Sequence, residues 1–407
     1  MILAAQRTPV EIWSWVIEIV IMDSFMPNIT FVPGARPFFA SVQMEDRGRQ
    51  AQNIPFPGDF RRLCLVSRSW KLVVDSYKYL FKTRVFVPGR SSELVETDKQ
   101  ESVGRLIAAQ DPFQYHCEPF DVSFWVDQLR SNPRVVHITI YDSYYIQDNL
   151  FRTLLSYSTH FRALTSLELQ LQPRNEGIAS SLSTHFPWLI HLDIRIRLGS
   201  DERSITDLMD LHLPHLLTMR WDTDRWSLFD EAFPSWKLPS LRAIILTANG
   251  NTYPDSNPTA ATLQSFFLKF GHGITHACLY VCVKEKEDPI KWDSVPCLEE
   301  LIAHPAVQFD GPAPPESKLD RITVTNFNEP CIDWLAATFG PVQRQGEPSI
   351  NHRKVTICLE YEGGHDAANR AFEDAHNSLY RRAAAFNSFC RIRQWGLEIG
   401  TGMPWVE

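Results

Sequence analysis

A chain of 407 residues with 44% apolar and 22% charged side chains has an ordinary globular composition, long enough for two or three domains or one elongated repeat array. Its net charge of −8 is unevenly placed: residues 1–90 carry 12 Lys and Arg against 7 Asp and Glu, so the remainder carries 28 against 41. A basic head on an acidic body argues against a general nucleic-acid binder, which needs a broad basic face, and suits a head that docks an acidic partner, though random scatter of charge gives the same split.

The first element is a helix starting at Pro9. Thr8 stands at the N-cap, Pro9 in the first turn and Glu11 at the positive end of the helix dipole, with the Thr8-x-x-Glu11 spacing of a capping box. Ile12, Val16, Ile19 and Val20 form one apolar stripe, and the helix is expected to end near residues 22–23. The apolar run at 13–22 is too short to span a bilayer and contains Glu18, and no signal peptide precedes it. The eight cysteines, at 64, 117, 278, 282, 297, 331, 358 and 390, form no short disulfide framework, so an intracellular protein with reduced thiols is expected. Residues 24–58 hold five prolines and no periodic run and read as a loop.

Residues 60–86 return to helical spacing, with Phe60, Leu63, Trp70, Val74, Tyr77 and Phe81 three or four apart or at multiples of that spacing. Periodicity alone is satisfied by an ordinary core helix. The residue types are more particular. Leu63-x-Leu65-Val66-Ser67-Arg68-Ser69-Trp70, followed by Tyr79-Leu80-Phe81, resembles the second half of an F-box, the adaptor-binding module of ubiquitin ligases, and Pro9-x-Glu11-Ile12 resembles its first half. The resemblance covers roughly 50 residues in two pieces. Thr8 stands where the family has Leu, and residues 24–58 separate halves that usually lie much closer, as a disordered insertion or a gene-model artefact such as a retained intron.

Residues 88–120 are polar and loop-rich and read as a neck, with a short helix over 102–109. From about residue 121 one pattern recurs: apolar, two of any kind, apolar, one of any kind, apolar. It begins at Val135, Leu164, Leu189, Leu216, Leu241, Ile274, Leu298 and Leu319, in steps of 29, 25, 27, 25, 33, 24 and 21 residues. That is the period of leucine-rich repeats. Helical patterns at Leu150/Leu154/Leu155/Phe161, Ile178/Leu182/Phe186, Ile205/Leu208/Met209 and Leu263/Phe266/Phe267/Phe270 fall between them, often with a proline just before the next strand. The Asn or Cys that regular repeats place after the strand appears only as Asn249 and Cys282, so an irregular ladder is expected. Helix at 331–339, strand at 353–361, a long helix at 366–390 and strand at 394–399 are expected to cap the open end.

The expected fold is α/β: an N-terminal helical F-box over 1–87, a neck at 88–120, and over 121–407 an irregular leucine-rich-repeat-like solenoid with a curved parallel sheet and a C-terminal cap. No GxSxG, GxxxxGK[ST], HExxH or GxGxxG motif in strand-to-helix context is present, so no catalytic residue and no cofactor are assigned. His272, His276, Cys278 and Cys282 have the composition of a zinc site, but a strand over 274–282 holds the two cysteines roughly 13 Å apart, too far for one ion with ligands near 2.3 Å. They are therefore read as apolar filler. The acidic pairs Glu299-Glu300 and Asp222/Asp224 read as solvated. The side chains between the apolar strand positions, His137, Glu168, Asp193 and Arg220, read as an exposed face for a partner.

The architecture resembles the F-box and repeat proteins of mushroom-forming fungi. That resemblance implies a substrate-recognition subunit, with the F-box docking a Skp-type adaptor and through it a cullin scaffold, while the repeats hold a protein substrate. Nucleic acid and membrane are not expected partners, and a cytoplasmic or nuclear location is implied. The adaptor contacts carried over by position are Pro9, Ile12, Val16, Leu65, Val66 and Trp70, with Ile19 and Val20 in reserve. Two alternatives are a repeat scaffold working outside ubiquitin ligases and an enzyme within the α/β body, which a pocket lined by convergent titratable groups would mark.

Overall fold

Seven times between residues 132 and 298 the chain makes the same hydrogen-bonded turn and runs into a strand. In each, the amide of the first apolar residue of the pattern donates to the carbonyl three residues back, as from Leu189 to Phe186 (3.1 Å) and from Leu241 to Leu238 (3.2 Å). Five of these turns carry proline at the second position, namely Pro133, Pro187, Pro214, Pro239 and Pro296. Proline presets the φ that this position needs and has no amide to leave unpaired. So the prolines that appear by sequence merely to end helices also fix the angle at which each strand is entered.

The computed structural model describes residues 68–76, 83–86, 103–109, 122–141, 147–171, 177–196, 209–223, 226–248, 258–281, 289–303, 307–311, 313–314, 317–319, 321–324, 356–359, 396–399 and 403–404. Thirteen strands form one open sheet in strict chain order. They are β1 (Thr83–Phe86), β2 (Arg105–Ala109), β3 (His137–Tyr141), β4 (Ser166–Leu171), β5 (His191–Ile196), β6 (Thr218–Thr223), β7 (Ala243–Ala248), β8 (His276–Tyr280), β9 (Glu300–Ala303), β10 (Arg321–Val324), β11 (Thr356–Leu359), β12 (Gly396–Ile399) and β13 (Met403–Pro404). All neighbours are parallel except β12 and β13, which are antiparallel. Between strands lie α2 (Val122–Ser131), α3 (Gln147–Ser156), α4 (Ile178–His185), α5 (Trp226–Ala232) and α6 (Ala260–Phe270), and α1 (Arg68–Ser76) precedes β1.

All eight sequence-predicted apolar triplets begin at buried residues and run into strands β3 to β10. Ile138, Leu167, Leu192, Met219, Ile244, Ala277, Leu301 and Ile322 stand side by side across the sheet. A backbone device sets this register. From β2 to β8 the carbonyl just before the strand accepts two successive amides of the next unit, for example Val136 from Thr165 and Ser166, Thr165 from Ile190 and His191, Ile190 from Leu217 and Thr218, Leu217 from Arg242 and Ala243. The positions at which regular repeats place Asn lie outside the described residues.

The sheet starts ahead of residue 121, because β1 and β2 extend the ladder in register. The stretch read as a neck therefore contributes a strand, and a strand replaces the helix expected over 102–109. Val103, Leu106 and Ala108 repeat the apolar spacing once more, all buried. At the other end, strands appear at Thr356–Leu359 and Gly396–Ile399, within the ranges expected, and β13 closes the last parallel edge. The helices expected at 331–339 and 366–390 and the stripe at 205–209 up to 208 lie outside the described residues.

Alternation assigns the two faces. Residues of the 138/140 set pack with the helices in one continuous core that includes Trp125, Leu154, Leu182, Phe229 and Leu263. Helices are about 10 Å wide and strands about 4.8 Å apart, so the helical side is the longer one and the sheet curves away from it. α6 shows how sequence fixes an element locally. Thr259 caps it by accepting from the Thr262 amide (3.0 Å), and Leu263, Phe266 and Phe267 bury one stripe. Gly177, at φ +73°, takes the chain into α4.

Gly271, in the turn after α6, admits no side chain. A Cβ there would sit 1.9 Å from the Ser294 carbonyl oxygen and 2.5 Å from that of Phe267, both backbone atoms of adjoining turns. Gly271→Ala is expected to lower unfolding stability by about 1–3 kcal/mol through forced backbone shifts. Urea titration checks this, and an unchanged midpoint would mean the two units are not pressed together at this turn.

Candidate functional site

Of the six residues carried over as adaptor contacts, the structure describes Trp70. Pro9, Ile12, Val16, Leu65 and Val66 lie outside the described residues, as do Ile19 and Val20, so the contact between the two head helices does too. Trp70 sits in α1, half-buried, one turn ahead of the fully buried Val74. The i, i+4 pair thus faces inward, as its spacing predicts. Leu72 lies between them on the opposite side and is 72% exposed.

The face opposite the helices differs from expectation. His137, Glu168, Asp193 and Arg220 are buried, at 2%, 0%, 1% and 9% exposure, not presented to solvent. Asp222 and Glu300, read as solvated acids, are buried as well. Register brings these groups together. Thr139, Glu168, Asp193 and Arg220 occupy one row across β3 to β6, flanked by the row Arg105, His137, Ser166, His191 and by Arg195 beside Asp222. Neighbouring strands place such side chains about 5 Å apart, close enough to satisfy one another.

The hydrogen bonds are specific. Arg195 Nη2 donates to Glu168 Oε1 (2.5 Å) and to Asp193 Oδ2 (3.3 Å), and Arg220 Nη1 lies 3.7 Å from the same Asp193 oxygen. Thr139 Oγ1 donates to Glu168 Oε2 (3.2 Å). With its proton so directed, Thr139 accepts from His137 Nε2 (2.7 Å), which leaves His137 Nδ1 to accept from the Ser166 hydroxyl (2.7 Å). The chain Ser166, His137, Thr139, Glu168 therefore runs one way, from a hydroxyl to a carboxylate, with a neutral imidazole inside it.

Burial explains that neutrality. It holds the His137 imidazole well below its ordinary pKa, and the nearby Arg105 and His191 push the same way. His191 is lowered to about 4, chiefly by burial; Asp193 opposes the shift and Arg220 adds to it. Burial also lowers Arg105 to about 9 against the pull of Glu168, so it stays charged at neutral pH. A histidine depressed in the folded state favours folding fully above its unfolded pKa near 6.5 and loses that advantage as pH falls toward about 4. At about 1.4 kcal/mol per unit, His191 alone is expected to remove roughly 3 kcal/mol across that window. Unfolding free energies at pH 7 and pH 4.5 should show a steeper loss for the parent than for His191→Gln, and equal slopes would place His191 in contact with water.

Further along the sheet the same face turns apolar. Ile245, Cys278 and Ile302 stand side by side on β7 to β9 and form a small buried cluster. Cys278 is thus the buried filler expected of it. His276, two residues earlier on the same face, has Nε2 3.8 Å from Glu300 Oε2. Cys282 lies outside the described residues. Among the described residues no group of three or more His, Cys, Asp or Glu could hold a metal ion. On the helical side, Asp230, Thr262, Ser265 and Lys269 line an open groove, where Lys269 Nζ donates to the Phe233 (3.2 Å) and Pro234 (2.5 Å) carbonyls and the Asp230 carboxylate meets the Thr262 hydroxyl.

Arg105, Thr139, Ser166, His191 and Arg195 belong to this charged face and were not singled out by sequence. Their signal was the alternation within each strand, as in His191-Leu-Asp193-Ile-Arg195-Ile196, which marks a second face without saying that it is buried. Among the described residues no helix is long and apolar enough to cross a membrane.

The class of protein defined by this fold is an α/β protein with an open, curved parallel sheet built from stacked strand–helix units. No family model matches the chain, and no curated protein matches it. Among solved structures, a protein of Bacteroides fragilis determined by a structural genomics consortium is similar over 53% of this chain and 67% of its own, at 14% identity and a TM-score of 0.35. A likeness of that size carries no argument about function.

Proposed function

We propose that this chain is a substrate-recognition subunit of a Skp–cullin–F-box type ubiquitin ligase, with a leucine-rich-repeat-like solenoid as its substrate-holding body. The observation that carries the reading is α1, which precedes β1 in the chain and combines a buried Val74, a half-buried Trp70 and an exposed Leu72 in a basic stretch of sequence. A short helix that buries one side on its own protein and presents an apolar residue among cations suits a groove on an acidic adaptor. The stacked units supply a stiff arm, since each inner strand bonds both neighbours and the carbonyls that precede β2 to β8 each accept two amides of the next unit. The chain performs no chemistry in this reading. It raises the local concentration of a substrate lysine near a conjugating enzyme, an effective-molarity role in the cytoplasm or nucleus.

The test is co-purification of the full chain with a Skp-type adaptor. Wild type should retain the adaptor, and Pro9→Ala with Ile12→Ala should reduce retention at least tenfold while leaving the circular dichroism spectrum unchanged. Undiminished retention by the double variant would remove the mapped contacts, and no retention by folded wild type would remove the adaptor role. The second reading is a repeat scaffold outside ubiquitin ligases. One observation favours it: the end of the F-box-like block, Thr83–Phe86, is β1 and pairs with β2, the place an N-terminal cap of the stack would hold.

A further inference from the structure

We draw no further inference here: the strongest candidate, the hydrogen-bonded chain Ser166–His137–Thr139–Glu168 on the sheet face opposite the helices, belongs to the site already described and is buried with its polar groups engaged with one another.

Discussion

Arg195→Met is expected to cost about 3–5 kcal/mol of folding stability, the range for breaking a buried ion pair from one side. One guanidinium nitrogen serves both Glu168 Oε1 and Asp193 Oδ2, and all three residues are buried. Methionine fills much of the same volume, so the loss reports charge and hydrogen bonding more than packing. The Glu168 carboxylate would keep its burial and its bond from Thr139 while losing this cation. Adding Glu168→Gln to Arg195→Met removes the carboxylate that loses this bond and should recover a substantial part of the loss. Urea unfolding of the four proteins in this cycle measures the coupling directly. A loss below about 1 kcal/mol for Arg195→Met, typical of exposed pairs, would show that water reaches this face.

Trp221→Ala should be comparably severe, at about 3–5 kcal/mol. Trp221 holds the third apolar position of its unit, where the neighbouring strands have Ile194 and Leu246. It is fully buried, with ring centroids 5.7 Å from Phe229 and 5.2 Å from Trp236, and Phe229 lies 5.3 Å from Phe266 of the next helix. Truncation therefore opens a void at the junction of two units, where each unit leans on its neighbour and the void cannot close by rearranging one helix. Among the described residues the Trp221 indole N–H finds no acceptor. Trp221→Phe keeps an aromatic ring and removes that buried donor, so it should cost less than half as much as alanine. Equal losses for the two variants would show that the indole shape, not the aromatic volume, holds the junction.

The repeat was legible because burying one face of a strand against a helix requires apolar residues at fixed intervals. Leu164, Leu167 and Leu169 had to recur as Leu189, Leu192 and Ile194 if the units were to stack. Pro187, Pro214 and Pro239 were equally visible, since the turn before each strand needs a fixed φ. β2 was missed because Arg105 and the polar run before it mask a triplet that ends in alanine. α5, carrying Trp226, Phe229 and the neighbouring Phe233, was not read from the sequence, for its seven residues are too few to establish a period.

The charged face was half legible. Alternation placed His137, Glu168, Asp193 and Arg220 together on one side of the sheet, which is a local property of extended backbone. Whether that side meets water depends on what packs over it and on which strand lies next to which, and neither is encoded within any one strand. Register across β3 to β6 turned separate polar residues into a bonded cluster with two neutral histidines. The sequence by itself determined the unit: its length, its turn, its apolar triplet and the polar alternation between. Tertiary structure alone decided that the stack begins as early as Thr83 and that the strand face is buried, because strand pairing, burial and ion pairing are set by contacts between residues some 22 to 29 positions apart.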